Sequence, residues 1–267
     1  MNKARDMKMS EKTFLVLPNH RTDICAMKFK IIRFLKTTFI RLKLHVLFSW
    51  MNGFLSQLLW MNKLSKWANV HEKTEFNDFP TKWDYNKRFD LYNYIIEKQG
   101  LENPINYLEF GVANGHSFNW WMTKNSNPES RFFGFDTFTG LPEDFGQFKK
   151  GTFNTNNDIP KIKDERGKFF QGLFQQTLPG FLKDFDSTKK TVLMLDADLF
   201  SSTLFVLTSL APFLKQGDLI LFDEFVVPTH EFMAYQHFID SYYFNFELIG
   251  AANNYYFAGF KVVSSNK

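Results

Sequence analysis

A chain of 267 residues, 44% of them apolar and 34 of them Phe, is long enough for one α/β domain with an extension. It is too short for two large domains and too apolar for global disorder. The single cysteine, Cys25, excludes an intramolecular disulfide or a cysteine-based metal cluster, and it fits a reducing, cytoplasmic compartment. The formal charge of +4 is unevenly spread: residues 1–70 hold 13 Lys/Arg against 3 Asp/Glu, a net of +10, so the remainder carries −6.

The first twenty residues are polar and mixed, without the apolar run of a cleavable signal peptide. Residues 27–43 place Phe29, Ile32, Leu35, Phe39 and Leu42 at spacings of three and four. Lys28, Lys30, Arg33, Lys36 and Arg41 lie mostly between them, which predicts a basic amphipathic helix. The apolar stretch 44–61 is interrupted by His45, Ser49, Asn52, Gly53, Ser56 and Gln57, too many polar groups for a comfortable membrane span. Two placements fit residues 1–70. They could lie in the interface at the inner face of a membrane, with Trp50 and Trp60 at headgroup depth, or pack as an arm on the domain or on a second copy in a homo-oligomer.

Residues 71–100 read as a polar, aromatic-rich linker or lid followed by a helix over 89–99 that ends at Gly100. From 101 to 267, strand-like and helix-like segments alternate, as in a mostly parallel sheet. The strand candidates are Ile105–Val112, Arg131–Asp136, Phe169–Phe174, Thr191–Asp196, Asp218–Phe222, Phe246–Ala251 and Tyr255–Val262. The last two join through Asn253-Asn254 as an antiparallel hairpin. This domain has no basic stripe, zinc-finger spacing or RNP-type aromatics, which argues against nucleic acid as a partner.

Three segments carry chemistry. In Tyr107-Leu-Glu-Phe-Gly-Val-Ala-Asn-Gly-His-Ser117 a buried strand ends near Glu109, Gly111 and Gly115 bracket a loop, and a helix begins near Ser117. The spacing is not the G-x-G-x-x-G that seats a dinucleotide pyrophosphate, and an acid at the strand end suits a cationic or hydroxyl-rich ligand better than a phosphate. In Gly134-Phe-Asp-Thr-Phe138, Asp136 closes the next strand, where it either grips ribose hydroxyls or caps the following turn. Asp196, Asp198, Asp223 and Glu224 close two further strands. Their mutual repulsion would be relieved by Mg²⁺ or a shared proton, unless they cap helices or bind substrate hydroxyls.

Glu109-Phe-Gly-Val, Gly134-Phe-Asp-Thr-Phe-Thr-Gly-Leu-Pro-Glu143, Thr177-Leu-Pro179, Asp196-Ala-Asp-Leu-Phe-Ser-Ser-Thr203 and Asp223-Glu-Phe225 together resemble the macrocin O-methyltransferase family over about residues 100–262. The resemblance implies a Rossmann-like class I methyltransferase domain: a seven-stranded, mostly parallel sheet with a C-terminal hairpin, preceded by the basic helical extension. It also implies transfer of a methyl group from S-adenosylmethionine (SAM) to a hydroxyl, on a sugar of a glycan or glycosylated small molecule. It assigns Glu109, Gly111, Ser117 and Asp136 to SAM, with Gly115, Thr137 and Phe138 beside them. Asp196, Asp223 and Glu224 go to Mg²⁺, and Asp198 to the general base; apart from the resemblance, His230 competes as base because imidazole titrates near neutrality. The family usually carries Asp-Asp where Asp223-Glu224 stands. A nicotinamide oxidoreductase would leave the strand-end acids unexplained. A non-catalytic scaffold of the same fold is the other reading, and the presence of all these acids weighs against it.

Overall fold

The computed structural model describes residues 20–71, 74–77 and 82–265, and these fall into two units divided between Phe54 and Leu55. The opening polar segment, and positions 72–73 and 78–81 of the expected linker, lie outside the described residues. In the first unit, α1 (His20–Arg41) contains most of the basic helix expected over 27–43. The apolar stretch that follows is broken into α2 (His45–Phe48), a 3-10 turn at Ser49–Met51 and α3 (Asn52–Val70). No described helix is long and apolar enough to cross a membrane.

The second unit opens with the rest of α3, whose Trp60 and Trp67 are buried. Trp67 packs against Phe225, Phe232, Tyr255 and Phe260, so this helix belongs to the core. Helix α4 (Lys87–Gln99) begins two residues earlier than its apolar pattern predicts. It stops where Gly100, at φ 64°, turns left-handed and gives its N–H to Ile96.

Then follow β1 (Ile105–Phe110), α5 (His116–Lys124), β2 (Arg131–Asp136), β3 (Gly167–Gln171), α6 (Phe174–Phe181), β4 (Lys190–Leu195), α7 (Phe200–Leu210), β5 (Leu219–Phe222), α8 (Glu231–Tyr242), β6 (Phe244–Ala252) and β7 (Phe257–Ser265). All seven expected strands are present, several shifted by a few residues at their ends. They form one sheet in the order β3-β2-β1-β4-β5-β7-β6, in which β7 alone runs antiparallel to its neighbours. The hairpin turn places Asn253, Asn254 and Tyr255 at positive φ, a conformation that Asn tolerates better than most residues.

Central strand β1 is buried at every position, as a parallel strand covered on both faces must be. Alternation along the strands sends Leu108, Phe110, Leu193, Leu195, Ile220 and Phe222 to one face, against apolar residues of α3, α6, α7 and α8. Tyr107, Val192, Met194, Leu219 and Leu221 go to the other face, against α4 and α5. The chain leaves β1 for β2 and β3 on one side, then crosses back from β3 through α6 to β4 on the other, and so opens a crevice at the carboxyl ends of the central strands.

Candidate active site

A cavity of about 320 Å³ occupies this crevice. It is built from the residues that follow four adjacent strands: Gly111 and Ala113 after β1, Asp136 and Thr137 at β2, Asp196 to Asp198 after β4, and Asp223 with Glu224 after β5. The ladder holds these residues by one extra step. The amide of Gly111 donates to Phe135, that of Asp196 to Phe110, and that of Asp223 to Leu195, each at 2.9–3.0 Å. Leu141, Pro142, Phe153, Leu173 and Phe174 form an apolar wall, and no Lys or Arg is among the described lining residues.

The glycine loop is shaped by Asp136. One carboxylate oxygen accepts the amides of Val112 and Ala113, both at 2.8 Å, and the other accepts the Phe138 amide at 2.7 Å. Asp136 therefore fastens the β1 loop to the β2 loop while facing the cavity. Gly111 has φ 97°, and a Cβ there would sit 1.7 Å from the Asp196 carbonyl oxygen. Only glycine allows the two strand ends to approach this closely.

Of the twelve residues the sequence nominates, Gly111, Asp136, Thr137, Asp196, Asp198, Asp223 and Glu224 line the cavity. Five do not. Glu109 is buried inside β1, where its carboxyl accepts the Tyr107 hydroxyl at 2.5 Å. Burial pushes the Glu109 carboxyl up to about 8, the Tyr107 hydrogen bond only partly opposing it. Gly115 supports the loop against Pro160, Ser117 is buried in the first turn of α5, and Phe138 is part of the core. His230 stands before α8, ring to edge with Phe145, and its Nδ1 accepts the Phe200 amide at 3.4 Å. Burial lowers its pKa. Trp121 and half-buried Trp120, candidates for a ligand pocket, pack in the core against Tyr92.

The magnesium site expected from Asp196, Asp223 and Glu224 is not found. Among the described residues no group of three or more His, Cys, Asp or Glu is arranged to hold a metal ion. Two of the three donors are engaged otherwise. Asp223 faces the Arg88 guanidinium at 3.4 Å and accepts the Tyr92 hydroxyl at 3.3 Å, and Glu224 accepts the Tyr256 hydroxyl. The cation that sequence reasoning sought in a metal is supplied, at Asp223, by a side chain.

Arg88 and Tyr85 were missed because residues 71–90 carry no recognisable motif, and Tyr92 and Tyr256 because nothing local marks a tyrosine of a helix or hairpin as a partner of distant acids. One signal was available. Arg88, Leu91, Tyr92 and Ile95 share the buried stripe of α4, and an arginine on an apolar stripe needs a buried anion as partner. Arg88 also stacks over Tyr85, which lines the cavity, and donates to its hydroxyl at 2.5 Å.

Burial and crowding raise the acids. Asp196 is held well above the usual carboxylate range by burial, then by the charges of Asp223 and Asp198. Asp198 is pushed up to about 7 by burial, then by Glu224 and Asp223. It also sits at φ 57°, a strained backbone that fixes its side chain at the cavity wall. Glu224 is raised by burial, against the Tyr256 hydrogen bond. A crevice so rich in carboxylates repels phosphates and attracts a ligand bearing positive charge.

The macrocin O-methyltransferase (TylF) family model matches residues 86–249, more than half of the chain and every strand-end acid of the crevice. The chain belongs to the macrocin O-methyltransferase family. As a member it is a SAM-dependent O-methyltransferase. Two solved structures share the fold. The O-methyltransferase NovP is 17% identical, with 78% of this chain and 100% of NovP covered at a TM-score of 0.55. The calicheamicin methyltransferase CalS11 is 20% identical, with 76% of this chain and 91% of CalS11 covered at a TM-score of 0.51. No curated protein matches significantly.

Proposed function

We propose that this O-methyltransferase acts on a sugar hydroxyl of a glycan or glycosylated small molecule, with Asp198 as the general base. The observation that carries the base assignment is a half-buried carboxyl on the cavity wall, bonded to no other side chain among the described hydrogen bonds and pushed up to about 7 by burial. A base that titrates near working pH combines a useful ionised fraction with real proton affinity. The sugar acceptor rests on family membership.

SAM supplies an electrophilic methyl group on a sulfonium and carries an ammonium but no phosphate. This charge pattern fits a cavity lined by Asp136, Asp196, Asp198, Asp223 and Glu224. Gly111 and Ala113 give backbone access to the ligand, and Leu173 and Phe174 offer flat apolar surface for an adenine ring. Asp198 takes the hydroxyl proton as the new O–C bond forms and the S–C bond breaks, leaving a methyl ether and a neutral thioether. Alignment of the acceptor oxygen with the methyl group dominates the rate of such an in-line displacement. Of the three carboxylates assigned to a divalent ion, Asp223 holds Arg88 and Tyr92 and Glu224 holds Tyr256.

Calorimetric titration of SAM into the protein, repeated on Asp136→Ala, tests the cofactor site. Binding by the parent and its loss in the variant is the expected result, since Asp136 sets the loop that faces the ligand. Equal binding by both would remove Asp136 from the site. A screen of nucleotide sugars and glycosides for methyl transfer then tests the acceptor class.

A further inference from the structure

The first unit presents a surface for which methyl transfer has no use. Along α1, Met27, Ile31, Phe34, Leu35 and Phe39 recur at spacings of three and four and so form one stripe, and every one of them is exposed. Arg33 points away from the centre of that stripe, flanked by Lys30 and Lys36, with Arg41 nearer its edge; all four are exposed. Beyond the stripe, Phe29 and Ile40 are exposed at 68% and 72%, and Trp50 at 79%. An apolar surface this continuous is unusual on a water-exposed helix and calls for a partner.

The charge pattern selects among partners. From Ile24 to Val70 the chain holds eight Lys/Arg (28, 30, 33, 36, 41, 43, 63 and 66) and no Asp or Glu. Two copies packed stripe to stripe would cover the apolar residues but leave these cations without any counter-charge. An anionic surface offering apolar depth would accept both the stripe and the cations. No described helix is long and apolar enough to cross a bilayer, so the matching geometry is a helix lying in the plane of the interface.

We propose that residues 27–50 form a docking surface for an anionic lipid bilayer. The stripe of Met27, Ile31, Phe34, Leu35 and Phe39 enters the acyl boundary, Lys28 snorkels from its flank, and Lys30, Arg33, Lys36 and Arg41 meet the headgroups. The inference does not rest on the acceptor proposed above. It would bring the enzyme to a membrane whatever hydroxyl it methylates.

The test is co-sedimentation of the full-length protein with phosphatidylcholine vesicles, with and without phosphatidylserine, at low and high salt. The comparison is with a Lys30→Gln/Arg33→Gln/Lys36→Gln variant and a Phe34→Ser/Leu35→Ser/Phe39→Ser variant. The parent is expected to sediment with the phosphatidylserine vesicles and to leave the neutral ones in solution. The charge variant should partition roughly 100-fold more weakly, from about 1 kcal/mol per cation at an anionic surface. The apolar variant should also fail to bind, and both should keep the parent's SAM affinity, which separates this proposal from the fate of the site. Sedimentation with neither vesicle, or equally with both, overturns it. So does light scattering that shows a parent dimer which the apolar variant dissolves, since a second copy would then cover the stripe.

Discussion

Replacing Arg88 with Met tests whether a guanidinium organises the acidic crevice. Arg88 and Asp223 are 3.4 Å apart, with side chains 6% and 5% exposed. At an effective dielectric constant of about 20, two unit charges at this distance attract by about 5 kcal/mol. Removing one member of a buried pair costs roughly 3–5 kcal/mol, because the remaining charge has lost its partner. The separation exceeds the 2.7–2.9 Å of a strong charge-assisted bond, so a loss near about 3 kcal/mol is expected. For a domain of this size that corresponds to a fall in Tm of roughly 6–12 °C. Urea denaturation at neutral pH measures it, and Asp223→Asn in the Arg88→Met background should recover most of the loss. Arg88 opposes the burial that raises the Asp223 carboxyl, so Asp223 protonates more readily without it, and the defect should shrink as pH falls. A loss under about 1 kcal/mol with no coupling between the two substitutions would refute the assignment.

The remaining predictions concern the strand ends. Asp198→Asn should keep SAM binding and lose roughly 10²–10⁴ in rate. In the parent, the rate should rise with pH through about 7 as Asp198 ionises, a limb that the variant lacks. His230→Gln should cost less than about tenfold, because His230 does not line the cavity; a larger loss would make it the base. Burial pushes the Glu109 carboxyl up to about 8 from an ordinary 4.5, so the folded chain holds a proton that the unfolded chain releases. Stability should therefore fall as pH rises from about 4.5 to 8, and Glu109→Gln should flatten that slope in denaturation midpoints. Gly111→Ala forces a Cβ to within 1.7 Å of a carbonyl at positive φ, and should cost at least about 2 kcal/mol and abolish SAM binding in calorimetry.

The sequence by itself determined the sheet and the acids at its edge. Parallel strands buried on both faces must be continuous apolar runs, so β1, β2, β4 and β5 were legible, as was the hairpin through Asn253-Asn254. An acid that ends such a run has to lie at the carboxyl edge, which is why Asp136, Asp196, Asp198, Asp223 and Glu224 were nominated and why they line one cavity. Tertiary structure alone decided what neutralises them. Arg88 lies 135 positions from Asp223, and Tyr256 lies 32 from Glu224; no local pattern encodes contacts made by folding distant helix and hairpin onto the sheet. The fate of Glu109 has the same origin. Whether a strand-end acid faces a ligand or a buried tyrosine depends on one step of strand alternation relative to the crevice, and packing around Tyr107 turned it inward.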